Sequence, residues 1–171
     1  MGLADIAAGL STTTEQDERG VASVDATDAD LADALAAFAD ALPCEPAAAA
    51  AVAEAYVGGG AVDAAGHDAG VPPMTAAKTL HRLGFAGLSP VSATGERVLE
   101  DYLTGRVSRA DARGLLSLSD AEFALATYVA THDPIDGARG VVDGALEDER
   151  EASVEKRNAL AETMSSADEF Y

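Results

Sequence analysis

The amino-acid sequence predicts an all-α protein in which two tri-helical units lie in tandem between N-terminal and C-terminal helices. Aromatic residues make up 5% of the 171 residues, Trp is absent, and alanine supplies much of the 48% apolar content. Such a composition favours helices that pack closely on Leu, Val and a few aromatic rings. Apolar residues recur at helical spacing, for example at Leu31, Leu35, Phe38 and Leu42. Prolines, glycines and serines also stand where helices begin or end.

Residues 1–44 are predicted to form an N-terminal helical segment. A short apolar stripe with i, i+3, i+4, i+7 spacing consists of Leu3, Ile6, Ala7 and Leu10. Thr12 and Glu15 have the spacing of a capping box. A clearer helix follows, with Thr27 as its N-cap and Pro43 at its end. We expect this helix to pack on the next unit, because its apolar face would otherwise lie in water.

Residues 45–88 are predicted to form the first tri-helical unit. Its first helix begins at Pro46, whose missing N–H costs nothing in a first turn, and stops at residues 58–60, which are all glycine. The second helix covers about residues 62–69 and ends at Gly70, which can take the left-handed conformation. The third helix runs from residue 72 to residue 83. The side chains expected to face outward on the third helix are those of Thr75, Lys78, Thr79 and Arg82.

Three short helices joined by glycines, ending in the run Pro72-Pro73-Met74-Thr75-Ala76-Ala77-Lys78-Thr79-Leu80-His81-Arg82-Leu83, resemble a tri-helical helix-turn-helix. In such proteins the last helix enters the major groove of DNA. The resemblance therefore implies that residues 72–83 are a recognition helix.

Residues 89–136 are predicted to form a second helix-turn-helix-like unit, with helices at about 94–103, 109–116 and 120–131. Capping-box spacing relates Ser108 to Asp111, and Ser119 to Glu122. Parts of the first unit recur 46 positions later, as with Tyr56 and Tyr102. This recurrence is either a true repeat or a consequence of what short helices require.

Residues 137–171 are predicted to form an acidic C-terminal helical tail. Its apolar stripe is poor, because Glu149, Ser153 and Lys156 fall where a coiled-coil seam from Val142 and Leu146 would need apolar residues. We expect one or two exposed helices in this region.

Two further resemblances concern longer stretches. Residues 98–135, with the run Tyr102-Leu103-Thr104-Gly105-Arg106-Val107-Ser108-Arg109-Ala110-Asp111-Ala112, resemble a small uncharacterised helix-turn-helix family linked to antitoxins. The whole chain resembles an uncharacterised, haloarchaea-restricted family with a domain of unknown function, which implies no activity. The acidic, lysine-poor composition is typical of proteins from salt-in halophiles, where molar salt screens the repulsion among carboxylates.

The charge is distributed unevenly along the chain. The net charge of −19 excludes a generally basic nucleic-acid binder, but no acid occurs between Val71 and Gly95. Residues 71–119 hold six bases and four acids, which gives +2, whereas the regions before and after give −12 and −9. A surface cleared of carboxylates is what phosphate contact requires. The predicted DNA-binding residues are Thr75, Lys78, Thr79, Arg82, Arg109 and Arg113. The alternative is that these bases pair with acids of the same chain, Asp101 among them.

Nothing in the sequence predicts an enzyme, a cofactor or a metal site. The three histidines are scattered and form no HExxH pair, and the run of glycines at 58–60 lacks the Lys-Ser/Thr of a P-loop. Cys44 is the only cysteine, so no intramolecular disulfide can form. No apolar run is long enough to cross a bilayer, and the first ten residues lack the basic start of a signal peptide. We expect no membrane partner and a cytoplasmic location.

The functional expectation is a DNA-binding transcriptional regulator, or an antitoxin-like regulator, of a halophilic archaeon, with double-stranded DNA as its partner. The alternative is a non-catalytic protein–protein adaptor that uses the helix-turn-helix only as a scaffold. The last helix of the second unit begins Asp120-Ala121-Glu122, which suits packing or a homodimer contact better than DNA.

Overall fold

The computed structural model describes residues 31–167, and the regular structure in that range is entirely helical. The all-α prediction is confirmed. The expected stripe at residues 3–10, the capping box at Thr12 and the N-cap at Thr27 lie outside the described residues. The helices are α1 (Leu31–Ala41, with Ala36–Ala41 as 3-10 helix), α2 (Pro46–Val57), α3 (Val62–Asp68), α4 (Pro73–Arg82), α5 (Glu96–Leu103), α6 (Arg109–Leu116), α7 (Asp120–Thr131) and α8 (Ala138–Ala167).

Helices α2, α3 and α4 pack on one another as a tri-helical unit. Gly66 is buried in α3 and lets α3 and α4 approach closely, since a Cβ on it would lie 3.1 Å from Cβ of Ala76 and 3.0 Å from the Val71 carbonyl oxygen. Gly70 follows α3 with a φ of +68°, in the left-handed region that the turn into α4 requires. Small residues therefore determine how tightly α4 is held.

The core of this unit also includes both flanking helices. Leu31 and Leu35 of α1 are buried in the same core as residues of α2 and α4, so the predicted packing of that helix is confirmed. The prediction that the C-terminal region is exposed is wrong for the start of α8, where Ala138, Val142 and Leu146 complete the same core. The described side chains of α8 from residue 147 onward are exposed. The sequence predicts exposure because apolar residues at core spacing are confined to about the first third of this helix.

Helices α5, α6 and α7 enclose a second and smaller core, in which Phe123 is 1% exposed. Both predicted caps are present: the Ser108 hydroxyl accepts from the Asp111 N–H, and Ser119 and Glu122 form a reciprocal capping box. Two hydrogen bonds from Ser119 hold the pKa of Glu122 below its usual range, and the side-chain bond has a larger effect than the bond from the backbone N–H. The caps fix where α6 and α7 begin.

Helix α7 belongs to both units. Phe123 and Ala126 face the second core, and another face of α7 packs on α4. After α7 the chain returns to the end of α4, where the Ile135 N–H donates to the Arg82 carbonyl oxygen (2.8 Å), and it then enters α8. As a result, α4 lies between its own unit and α7.

No single helix within residues 31–167 combines the length and apolar character needed to cross a membrane. The helices α1 and α2 meet that test only when taken together, and they are bent by 116° to each other.

Candidate functional site

The predicted recognition helix, α4, has buried as well as half-buried positions on the side expected to face outward. Thr79 is 0% exposed, and its hydroxyl lies 3.3 Å from the Cys44 sulfur. The prediction that Thr79 faces outward is therefore wrong. Thr79 and its neighbour Leu80 are both fully buried, although adjacent residues point in different directions from a helix. The buried face of α4 is therefore wider than the spacing of its leucines predicts. Thr75 is half-buried near the start of the helix.

Lys78 is half-buried against α7. Its Nζ lies 4.8 Å from the centre of the Tyr128 ring, which is within the range of a cation–π contact. The Tyr128 ring stacks on His132 at 4.0 Å, and the His81 ring meets Tyr128 edge-on at 6.3 Å. His81 Nε2 also donates to the His132 carbonyl oxygen. These contacts join the outer side of α4 to the last turn of α7.

Burial raises the pKa of the Tyr128 phenol, and the nearby positive charge of Arg82 opposes that shift. The phenol therefore stays protonated to a higher pH than a free tyrosine would. It remains neutral beside Lys78 and Arg82, so it supplies a ring face and not a counter-charge.

Arg82 is half-buried, and its guanidinium serves main-chain carbonyls. Its Nε donates to the Ala41 carbonyl oxygen at 3.2 Å, and one of its terminal nitrogens donates to the Asp133 carbonyl oxygen. These bonds connect α4 to the end of α1 on one side and to the segment after α7 on the other. Arg82 is thus engaged within the fold, through backbone groups that no charge pattern could reveal.

Arg109 and Arg113 lie at a separate place, where α6 meets the start of α7. Both pair with Asp120, at 3.3 Å and 2.5 Å, while Arg106 pairs with Asp101 at 3.0 Å. All three pairs are solvent-exposed, so each contributes about 0–1 kcal/mol of stability. Asp120 and Tyr128 are about 12 Å apart along the axis of α7. Arg109 and Arg113 therefore lie at the opposite end of α7 from Lys78 and Arg82.

Sequence reasoning missed the residues that cover α4, chiefly Tyr128, His132 and Asp133. They follow Lys78 and Arg82 by about fifty positions, and no local pattern marks them as neighbours. Within residues 31–167, no group of three or more His, Cys, Asp or Glu side chains is placed to hold a metal ion.

Two of the concave surfaces that lie away from α4 are of particular interest. One, of about 420 Å³, is a groove between α5 and α7, and we call it the α5–α7 groove. Its lining residues are Ser89, Glu96, Leu99, Glu100, Leu103, Ala126, Val129 and Ala130. The other, of about 520 Å³, lies where α8 passes the end of α2, and it includes Arg150, Ser153, Val154 and Arg157.

Comparison with protein families places the chain in one of them. The family described as "Family of unknown function (DUF7858)" matches residues 1–169, so the chain belongs to that family. The comparisons with curated proteins and with solved structures gave no match.

Proposed function

We propose that this member of the DUF7858 family is a non-catalytic protein–protein adaptor in which the two tri-helical units form a rigid scaffold. One observation carries the proposal: every residue from 74 to 85, which includes nearly all of α4, is buried or half-buried. Most of the helix whose position resembles that of a recognition helix is thus covered by the rest of the chain.

A recognition helix has to present a bare face to DNA. The major groove is about 12 Å wide, and the side chains that read base edges must reach into it. Here the contact of Lys78 with Tyr128 and the two carbonyl bonds of Arg82 occupy the cations that DNA would need. Freeing them would break the ring contact of Lys78 and both carbonyl hydrogen bonds of Arg82. That cost supports the scaffold role over DNA reading.

The exposed apolar side chains lie elsewhere. Leu103, Leu115 and Val154 are 43%, 67% and 50% exposed, on α5, α6 and α8 respectively. Single exposed leucines are ordinary, but Leu103 borders the α5–α7 groove. Partner contacts in this proposal are therefore assigned to α5, α7 and α8.

A DNA-binding regulator, with the antitoxin-like variant included, is the second candidate. The absence of carboxylates between Val71 and Gly95 favours it. In either role the protein is proposed to work in the molar salt of a halophilic archaeal cytoplasm, which the charge of −19 and the presence of only two lysines support. At such salt, counterion release adds little to DNA affinity, so base readout would have to supply it.

Selection of DNA sequences from a random duplex library tests the proposal. The purified chain is carried through rounds of binding at molar salt, together with Lys78→Gln and Arg97→Gln variants. Arg97 is exposed on α5 and serves as the matched control, because both changes remove one positive charge from the same region. We expect no enriched sequence for any of the three chains. Sequence-specific enrichment that Lys78→Gln abolishes and Arg97→Gln keeps, with unchanged circular dichroism, would overturn the adaptor and establish the regulator.

Cross-linking in cells at native salt supplies the positive arm. A carboxylate-reactive reagent suits a chain with 30 acids, and mass spectrometry then identifies what is joined to it. We expect cross-links to protein through acids around the α5–α7 groove, such as Glu96 and Glu100. Cross-links confined to the chain itself would contradict an adaptor.

A further inference from the structure

Another concave surface lies between the two tri-helical units, and we call it the interunit cleft. Its walls come from the starts of α3 and α4, from the connector that follows α4, and from the first half of α7. Its volume is about 300 Å³. The apolar side chains that line it include those of Val62, Met74, Ala77, Leu88, Ala121 and Leu125. The two units thus leave an apolar space where they meet.

The apolar walls of the interunit cleft are in part independent of the two cores. Met74 and Leu125 are both half-buried, but neither belongs to the core of the first unit or to that of the second. The flexible thioether of methionine adapts to the shape of a ligand and makes favourable contacts with aromatic rings. The cleft therefore offers apolar surface that the packing of the cores does not use.

The polar side chains that line the cleft are two carboxylates, those of Asp63 and Glu122, and no Lys, Arg or His lines it. Both residues are exposed, so they lie where the cleft opens to solvent. Neither makes an ion pair in the part of the chain that the structure describes. The mouth of the cleft therefore has negative charge without a cation of its own.

The capping box of α7 holds the Glu122 carboxylate in place. Its Oε2 accepts from the Ser119 N–H at 2.8 Å, and within residues 31–167 its other oxygen has no hydrogen-bond donor. The hydrogen bonds with Ser119, chiefly the one that involves the serine side chain, keep the pKa of Glu122 below its usual range, so the group is ionised at neutral pH. A carboxylate that is already held in place loses little side-chain entropy when it binds a cation.

We propose that the interunit cleft binds a small primary amine, whose apolar body lies between Met74 and Leu125 and whose ammonium group lies at the mouth formed by Asp63 and Glu122. Small ligands are typically bound in mostly apolar pockets that have a few polar groups and lie between domains. The ammonium group follows from the charge, because both polar side chains of the cleft are anionic. The proposal goes beyond the adaptor function and does not depend on it.

The surroundings of the cleft favour a free small molecule over a partner protein. Its volume lies at the lower limit for ligand pockets, which is about 300–1,000 Å³. The large apolar side chains that are exposed on the described residues, such as Leu103 and Leu115, do not line it. A protein interface would need further apolar surface around the pocket. The ligand is therefore one that the cleft can enclose by itself.

NMR of methionine methyl groups tests the proposal on the full chain. Met74 lines the cleft, whereas the other two methionines, Met1 and Met164, do not and serve as internal controls. The labelled chain is titrated at neutral pH in molar KCl with phenethylamine, with the neutral phenethyl alcohol and with the anionic phenylpropionate. We expect phenethylamine to shift the Met74 signal through the ring current of its phenyl group, with a dissociation constant of about 1 mM. The alcohol should bind about fivefold more weakly, because it forms no ion pair, and phenylpropionate should not bind.

Four variants separate the charge from the apolar wall. Glu122→Gln keeps the capping box, because glutamine also reaches back to the Ser119 N–H. This variant and Asp63→Asn should each weaken phenethylamine binding about two- to threefold and leave binding of the alcohol unchanged. Glu96→Gln is the matched control, since it removes an exposed acid of α5 outside the cleft, and it should change neither. Leu125→Ala should weaken both ligands, and circular dichroism shows that each variant is folded.

Three outcomes overturn the proposal. The Met74 signal stays in place with phenethylamine, the amine and the alcohol bind equally well, or Glu96→Gln weakens amine binding as much as the two cleft variants do. The last outcome would assign the binding to the net charge of −19 and not to the cleft. The adaptor function stands or falls separately, through the selection of DNA sequences and the cross-linking in cells.

Discussion

Replacing Phe123 by alanine tests whether the second tri-helical unit depends on one side chain. Among the described residues, the buried members of its core are Leu99, Ala112, Phe123 and Ala126, and Phe123 is the only aromatic ring among them. Truncating a buried Phe to Ala costs about 3–5 kcal/mol, from lost transfer free energy and the cavity left behind. The change also removes the edge-on contact with Tyr102, whose ring centre is 5.0 Å away. We therefore expect a loss in the upper half of that range, of about 4 kcal/mol.

The matched control is Leu115→Ala, which also truncates a large apolar side chain in this unit. Leu115 is 67% exposed on α6, so its loss should change the free energy of unfolding by no more than about 0.5 kcal/mol. Urea denaturation followed by circular dichroism at fixed molar salt gives both values. A domain of this size has about 5–15 kcal/mol to lose, so the variant should remain folded but visibly weakened.

Hydrogen exchange locates where the Phe123→Ala loss is felt. Amides of α5 and α6 should exchange faster, whereas those of α2 and α3 should change less, because their core is built on Val52 and Leu80. A loss below about 1 kcal/mol, comparable to that of a surface change, would refute the account of this core. Equal acceleration in both units would instead show that they unfold together.

Three further predictions concern α3, α4 and α7. Gly66→Ala should destabilise the fold by about 1–3 kcal/mol, because the added Cβ would press on α4. Gly144→Ala should instead stabilise α8 by up to about 1 kcal/mol, because the space around Gly144 is open and alanine favours a helix. Thermal unfolding of the two variants measures both effects. A pH titration of the absorbance at 295 nm, with Tyr128→Phe subtracted, should reveal a phenol that ionises above pH 10. The folded state should lose stability between about pH 10 and that raised pKa, because in this range the unfolded chain has released the phenol proton and the folded chain still holds it. Thr79→Val should cost about 0.5–1.5 kcal/mol by removing the bond to Cys44, and unchanged stability would contradict that bond.

Much of the fold could be predicted from local signals. The bounds of α6 and α7 match the predicted ranges, because Ser108 and Ser119 satisfy specific backbone N–H groups and leave little choice of where a helix begins. Glycines likewise mark where α2 and α3 end. Gly59 and Gly105 are separated by the same 46 positions as Tyr56 and Tyr102, and both have positive φ. The burial of the start of α8 is not predicted by the sequence. Its three buried residues, four positions apart, give only a weak apolar pattern in a long and otherwise charged helix.

The candidate site could not be predicted in the same way. The sequence marks Lys78 and Arg82 as cations in an acidic chain, but their partners in the fold are a tyrosine ring and two main-chain carbonyls. Neither kind of partner leaves a charge signature in the sequence. Thr79 was misplaced for a related reason: a threonine beside Lys78 is read as polar surface until the helix that covers it is known.

The same geometry explains, without a polyanion, why residues 74–85 of the carboxylate-free segment hold no acid. From residue 74 to residue 85 every position is at least half-buried, and a carboxylate there would lose water without gaining a partner. Arg82 is tolerated because carbonyl oxygens satisfy its N–H groups, and Lys78 because an aromatic face accepts its charge. In an otherwise acidic chain, burial alone would thus clear acids from this stretch while retaining bases with long apolar stems. The absence of acids from residues 74–85 is therefore expected of a helix packed inside an acidic scaffold. The comparison of Lys78→Gln with Arg97→Gln, a change at an exposed arginine of α5, separates this cause from DNA binding.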